Sequence, residues 1–181
     1  MIKVAFQGER GAFSEDAIAK FFESKDVITM PQRSFADVVA AVAGGRADYG
    51  VLPVENSIAG RVVDSERAIE SSALTHVGEV TVPIEHCLLA VRGGSLEEVS
   101  RAMSHPVALA QCTKFFSANS AVQPVIAYDT AGAAREVAAS GDVTLAAIAA
   151  RRAAVIYGLE ILVERIEDRA DNETRFVVLT K

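Results

Sequence analysis

Short β-branched runs alternate with stretches of helical periodicity along almost the whole of this 181-residue chain. The apolar, β-prone runs predict strands over residues 3–6, 27–30, 49–54, 75–82, 87–91, 122–127, 145–148, 160–164 and 175–179. The intervening periodic stretches predict helices over 14–23, 34–43, 62–71, 106–117, 130–139 and 149–157. This alternation predicts an α/β protein whose sheets are mostly parallel and carry helices on their faces.

One stretch breaks the rhythm. Residues 75–91 read as nearly continuous strand, interrupted by Pro83, and are longer than one compact strand. The pattern predicts a crossover at Thr81-Val82-Pro83 from one lobe to a second, with a return over 163–172. Two α/β lobes follow, the first of residues 1–80 plus 168–181 and the second of residues 81–167. A cleft between two such lobes is a common place for a ligand.

Composition narrows the classes of function. Half of the residues are apolar, enough for a core, yet no run is long enough to cross a bilayer. The first apolar stretch, Ile2 to Phe6, is too short for a signal sequence and reads as a strand. Cys87 and Cys112 are too few for a disulfide framework and lack metal-ligand spacing, so a cytoplasmic protein with reduced thiols is expected. The formal net charge is −6 and the basic residues form no stripe, which argues against nucleic acid as a partner. A small anion remains compatible, because one or two local cations and backbone donors suffice to hold it.

Candidate chemistry falls in five segments. Gly8-Glu9-Arg10-Gly11-Ala12-Phe13-Ser14 joins the first strand to the first helix, either as an anion-holding turn or as a glycine-shaped connection; it matches neither the dinucleotide fingerprint nor a phosphate loop. The strand 49–54 ends in Glu55-Asn56-Ser57, where ligands of open α/β sheets bind, and the same residues also suit a capped loop. Ser104-His105-Pro106 starts a helix with proline at its first position, placing Ser104 near the N-cap and Gln111 further along, where a core amide is an alternative. Asp129-Thr130-Ala131-Gly132 opens another helix with a capping residue and small side chains. Last, Asn172-Glu173-Thr174-Arg175-Phe176 sets a hydroxyl beside a guanidinium at a strand mouth, a pairing suited to an anionic substrate with a leaving hydroxyl. His76, His86 and His105 share no ligand spacing, so structural roles are expected for them rather than a zinc site.

Taken in order, these segments resemble the catalytic domain of prephenate dehydratases and of the related plant arogenate dehydratases. The resemblance also takes in His86-Cys87-Leu88-Leu89, Ala146-Ala147-Ile148-Ala149, Tyr157-Gly158-Leu159 and Ile166-Glu167-Asp168, and so runs almost end to end. It implies two α/β lobes like those of type II periplasmic binding proteins, with the active site in the cleft. It implies that prephenate loses carbon dioxide and its ring hydroxyl to give phenylpyruvate, on the way to phenylalanine. Thr174 takes the catalytic role in that resemblance; Asn56, Ser57, Ser104, Gln111, Thr130 and Arg175 take substrate-pocket roles, with Glu55 and Phe176 beside them. It implies no metal or cofactor, since aromatisation drives the fragmentation, and it implies a homodimer. The family's phenylalanine-binding ACT domain has no counterpart here, so insensitivity to phenylalanine at such a site is expected. Arogenate is the alternative substrate, and a non-catalytic binding module for small anions is the alternative class.

Overall fold

The computed structural model describes residues 1–23 and 25–181. The chain divides into two compact units, one of Met1–Glu9, Phe13–Pro83 and Glu173–Lys181, the other of Arg10–Ala12 and Ile84–Asn172.

The first unit is built on a sheet of β1 (Ile2–Gln7), β2 (Val27–Gln32), β3 (Tyr49–Asn56), β5 (Thr75–Pro83) and β11 (Glu173–Thr180), in the order β2-β1-β3-β11-β5, with the short β4 (Gly60–Arg61) paired to β3. Helices α1 (Phe13–Phe22), α2 (Phe35–Ala43) and α3 (Val63–Glu70) pack on it. β1 runs parallel to β2 and β3, whereas β11 runs antiparallel to both β3 and β5. One core layer joins Ala5, Leu52, Val54, Val177 and Leu179 to Val38, Ala41 and Val42 of α2. Ser34 caps α2 by accepting from the Asp37 amide at 3.1 Å, a contact worth about 1 kcal/mol.

The second unit contains β6 (Cys87–Ala90), β7 (Arg101–Ser104), β8 (Gln123–Ile126), β9 (Leu145–Ala149) and β10 (Glu160–Val163), in the order β10-β6-β9-β7-β8. Its helices are α4 (Pro106–Ala110), α5 (Thr113–Ala118), α6 (Thr130–Ser140) and α7 (Arg151–Tyr157). The segment Arg10–Ala12 belongs to this unit: Tyr157 donates to the Arg10 carbonyl at 2.7 Å, and Gly11, at φ +92°, lies so close that a Cβ there would be 2.9 Å from Ala153 Cα.

Several sequence expectations change. The sheets are mixed rather than mostly parallel, because β11 inserts antiparallel beside β3 and β6 runs antiparallel to β9 and β10. β7, only four residues long, was hidden from periodicity and is fixed by pairing with β8 on one side and β9 on the other. The helix expected over 106–117 is broken. Gln111 ends α4 at φ −90°, ψ 0°, and α5 starts afresh because the Asp168 carboxylate accepts from Thr113 N, Thr113 Oγ1 and Lys114 N at 2.6–3.0 Å. The last helix begins at Arg151 rather than 149, since β9 extends through Ala149.

Candidate active site

The end of β3 is where the first unit gathers its polar groups. β11 pairs Val177 with Leu52, Phe176 with Pro53, Arg175 with Glu55 and Thr174 with Asn56. Val54 is therefore an extra residue, a bulge in β3, while β11 keeps regular register with β5 from Val178 to Glu173. In a regular strand Asn56 would share the face of Val54; the bulge turns it to the other face, beside Thr174.

Side-chain hydrogen bonds fix the orientation of Asn56. Its Oδ1 accepts from Ile58 N at 3.1 Å and Ala59 N at 2.8 Å, so the oxygen end of the amide is identified by two backbone donors. The Nδ2 end then points to β11, donating to Thr174 Oγ1 at 2.9 Å and to the Glu173 carbonyl at 3.1 Å. Ser57 closes the corner reciprocally: its N–H donates to Glu173 O at 2.9 Å, and its Oγ accepts from Glu173 N at 3.0 Å. Thr174, only 8% exposed, is thus held as an acceptor. Among the described residues no acceptor takes its hydroxyl hydrogen, which leaves the O–H as a donor polarised by the bond it receives.

Arg175 does not share this face. Strand alternation sends it to the opposite side from Thr174, where Nη2 meets Glu55 Oε2 at 3.1 Å and Nη1 meets Glu79 Oε1 at 3.2 Å. The hydrogen bond to Glu55 is the main reason its guanidinium is held charged even more firmly than usual. The guanidinium ties β3, β11 and β5 together, and adjacency in sequence became separation by a sheet. An open recess of about 180 Å³ lies among Val54, Ile69, Val177 and Leu179, with Glu66, Glu70 and His76, and no expected site residue lines it. Phe176 is buried at 2% exposure, opposite Pro53 and Val80 in the strand register, and serves as core.

The glycine-rich turn leads into α1, whose first turn carries a buried carboxylate, Glu15, hydrogen-bonded by Thr29 Oγ1 at 2.5 Å. The chain's own anion sits at that helix start, where the helix dipole favours negative charge.

In the second unit Ser104 is the last residue of β7, fully buried, with Oγ donating to the Ile148 carbonyl at 2.6 Å. His105, not Ser104, caps α4, its Nδ1 accepting from Val107 N at 3.2 Å. Thr130 is the first residue of α6, half-buried, behind the N-cap Asp129, whose Oδ1 accepts from Gly132 N at 2.8 Å. Gln111 is 9% exposed; its Oε1 lies 3.0 Å from His86 Nε2 and accepts from Asn172 Nδ2 at 2.9 Å. Burial pushes the His86 imidazole below its ordinary pKa, against the opposing influence of Gln111 and Glu167. Sequence reasoning gave Asn172 no role of its own and expected a structural role for His86; the structure buries both beside Gln111.

Within the first unit, then, the structure brings together Asn56, Ser57 and Thr174 and sets Glu55 and Arg175 apart from them. The model of the prephenate dehydratase family matches residues 4–181.

The chain belongs to the prephenate dehydratase family. Arogenate dehydratase/prephenate dehydratase 1, a chloroplastic protein of Arabidopsis thaliana, is 41% identical over 180 residues, covering 99% of this chain and 45% of the relative. The chain spans about half the length of such curated relatives. A prephenate dehydratase from Arthrobacter aurescens, solved in complex with L-Phe, superposes with a TM-score of 0.91 at 30% identity, over 99% of this chain and 60% of that one. A periplasmic substrate-binding protein of an ABC transporter from Coxiella burnetii is similar in fold alone, with a TM-score of 0.51 at 13% identity over 99% of this chain and 84% of that one. The α/β fold of this chain is thus similar both to that of a prephenate dehydratase and to that of a periplasmic binding protein. Among the described residues no helix is long and apolar enough to cross a membrane.

Proposed function

We propose that this chain carries out the decarboxylating dehydration of prephenate to phenylpyruvate, a step toward phenylalanine. Membership of the prephenate dehydratase family supports the reaction class. The observation that carries the assignment of roles is the Asn56–Thr174 hydrogen bond, which leaves the Thr174 proton to be donated.

In this reaction the C–C bond to the ring carboxylate breaks and its electron pair enters the ring. The ring becomes aromatic as the C–O bond breaks, and that bond's pair leaves on oxygen. Carbon dioxide, water and phenylpyruvate result, with one proton taken up by the departing hydroxide. A threonine hydroxyl is too weak an acid to surrender that proton outright, so Thr174 acts by donating a hydrogen bond to the oxygen as charge develops there. The proton itself comes from solvent or from a relay. Asn56 positions Thr174, and Ser57 holds the Glu173 backbone from which the threonine projects.

Ser104, Gln111 and Thr130 are assigned to the same substrate on the strength of the motif resemblance. Arg175, ion-paired with Glu55 and Glu79, is assigned to clamping β11 between its neighbours. Arogenate is kept as a second substrate because the Arabidopsis relative's name carries both activities. A homodimer in the cytoplasm completes the reading; sedimentation velocity tests the dimer and fractionation of the source cells the compartment.

The decisive experiment incubates the protein with prephenate, and in parallel with arogenate, and follows phenylpyruvate by its alkaline absorbance and phenylalanine by chromatography. Product from either substrate, reduced by about two or more orders of magnitude in Thr174→Ala with KM little changed, is the expected result. Saturable binding with no product from either substrate defeats the proposal.

A further inference from the structure

We infer that the recess between α3 and strands β3, β11 and β5 of the first unit binds a small organic cation, a primary amine carried on an apolar body of about one ring. The proposed reaction does not use this recess. Val177 and Leu179 line it, and strand alternation sets both on the face of β11 opposite Thr174.

The floor is apolar. Val54 of β3, Val177 and Leu179 of β11 and Ile69 of α3 enclose a volume of about 180 Å³. Val54, Val177 and Leu179 are buried in the core layer beneath α2, whereas Ile69 packs against that layer only in part, so the recess is the layer's open end. An apolar cavity of about 150 Å³ takes one benzene, and the space here suits a single six-membered ring.

The rim is acidic. Glu66 and Glu70 of α3 border the recess, with His76 of β5. Glu66 is already held by Arg61, with Oε1 3.0 Å from Nε and Oε2 2.6 Å from Nη2. Glu70 is exposed and makes no ion pair or side-chain hydrogen bond among the described residues. On the same side of the sheet Glu55 and Glu79 share the Arg175 guanidinium. The carboxylates of Glu55, Glu66, Glu70 and Glu79 thus outnumber the guanidiniums of Arg61 and Arg175, and the uncompensated charge stands at Glu70, beside the apolar floor. An ammonium group brings three donors and the complementary charge to such a rim, whereas a carboxylate ligand meets repulsion.

The strands on both sides of β11 are irregular at this recess. Val54 is the bulged residue of β3. In β5 the register passes from Val178–Gly78 to Leu179–His76, which leaves Val77 as an extra residue. Unbulged pairing would set Val77 opposite Leu179 and continue the apolar surface. Instead the valine is left 45% exposed, and an imidazole, with Nε2 2.9 Å from the Gly78 carbonyl, takes its place at the rim. Bulges of this kind re-aim side chains and are over-represented beside functional sites.

The test is a titration of the full chain with 2-phenylethylamine, followed by methyl 1H–13C shifts, with phenylacetate as the anionic counterpart. Saturable shifts at Val54, Ile69, Val177 and Leu179 are expected, with a Kd of about 1–10 mM for a ligand of this size. Phenylacetate is expected to bind at least about tenfold more weakly. Glu70→Lys is expected to weaken the amine about fivefold or more, because it removes one exposed charge pair and adds a repulsion of similar size. That substitution falls on the last residue of α3, where a cation suits the helix dipole, so the fold is retained. Ile69→Phe fills the recess and is expected to abolish the response of the other methyl groups; should it fail to fold, Glu70→Lys decides. No saturation below about 50 mM amine, equal affinity for the two probes, or shifts that map elsewhere overturns the inference. An affinity in Glu70→Lys within about twofold of the parent does so too. Shifts that follow protein concentration rather than amine assign the recess to a second copy of the chain, and they overturn it as well.

Discussion

Replacing Asn56 by Asp isolates the hydrogen bond on which the role of Thr174 depends. The substitution is nearly isosteric and keeps an oxygen to accept from Ile58 N and Ala59 N, so the local turn survives. What changes is the other end of the side chain. An N–H donor 2.9 Å from Thr174 Oγ1 becomes a carboxylate oxygen, which demands the threonine hydrogen for itself. The hydroxyl then faces away from any substrate, and the new charge also opposes the Glu173 carbonyl, 3.1 Å from the same position. Losing one preorganised donor of this type costs about 10²–10³ in kcat, about 2.7–4 kcal/mol. The pH dependence adds a signature. A carboxyl group with an ordinary pKa near 3.9 is neutral in only a small fraction of molecules at neutral pH. That fraction grows tenfold for each unit the pH falls, and the neutral form donates to Thr174 as the amide does. The assay is steady-state turnover of prephenate from pH 8 to pH 5 for the parent and the variant, with folding checked by circular dichroism. A deficit of about a hundredfold or more at pH 7.5 that narrows toward pH 5 is expected. A variant within threefold of the parent at pH 7.5 refutes the orientation argument, as does a deficit that ignores pH.

The other predictions concern different parts of the molecule. Arg175→Lys is expected to leave KM for prephenate within about threefold and to cost about 0–1 kcal/mol of stability, because the lost ion pairs are solvent-exposed; a large rise in KM with folding intact returns the guanidinium to the substrate. Gly11→Ala is expected to lower the unfolding free energy by about 1–3 kcal/mol, since it combines φ +92° with a 2.9 Å approach to backbone at Ala153, and urea denaturation measures it. His86 has a folded-state pKa below its ordinary 6.5, so the unfolded chain binds the proton more readily. Its contribution to stability is fully present above pH 6.5 and is lost as the pH falls through the folded-state pKa. Denaturation midpoints should drop over that window in the parent and drop less in His86→Gln.

Much of the candidate site was legible because its residues cluster in short motifs at strand ends. Glu55-Asn56-Ser57 and Glu173-Thr174-Arg175 stood out as polar groups at the ends of apolar strands, and these two segments pair across β3 and β11. Invisible in sequence was the extra residue in β3. Neighbouring polar residues look equivalent on paper, but whether each lands on one face or the other depends on register, and one bulge reverses the answer for everything beyond it. The broken helix at Gln111 escaped for a related reason: its second half is capped by Asp168, 55 residues from Thr113, and no local pattern announces a cap supplied from so far away.

By itself, then, the order of apolar and polar positions determined an α/β chain, most of its strands and helices, and which short segments are candidates for the chemistry. Those features follow from interactions between residues near one another in the chain, where periodicity and turn chemistry suffice. Tertiary structure alone decided that Asn56 offers its nitrogen to Thr174, that Arg175 faces Glu55 and Glu79, and that Gln111 turns its oxygen toward His86 and Asn172. Each of these is a choice of direction for a hydrogen-bonding group, and direction is set by partners brought together from distant parts of the chain.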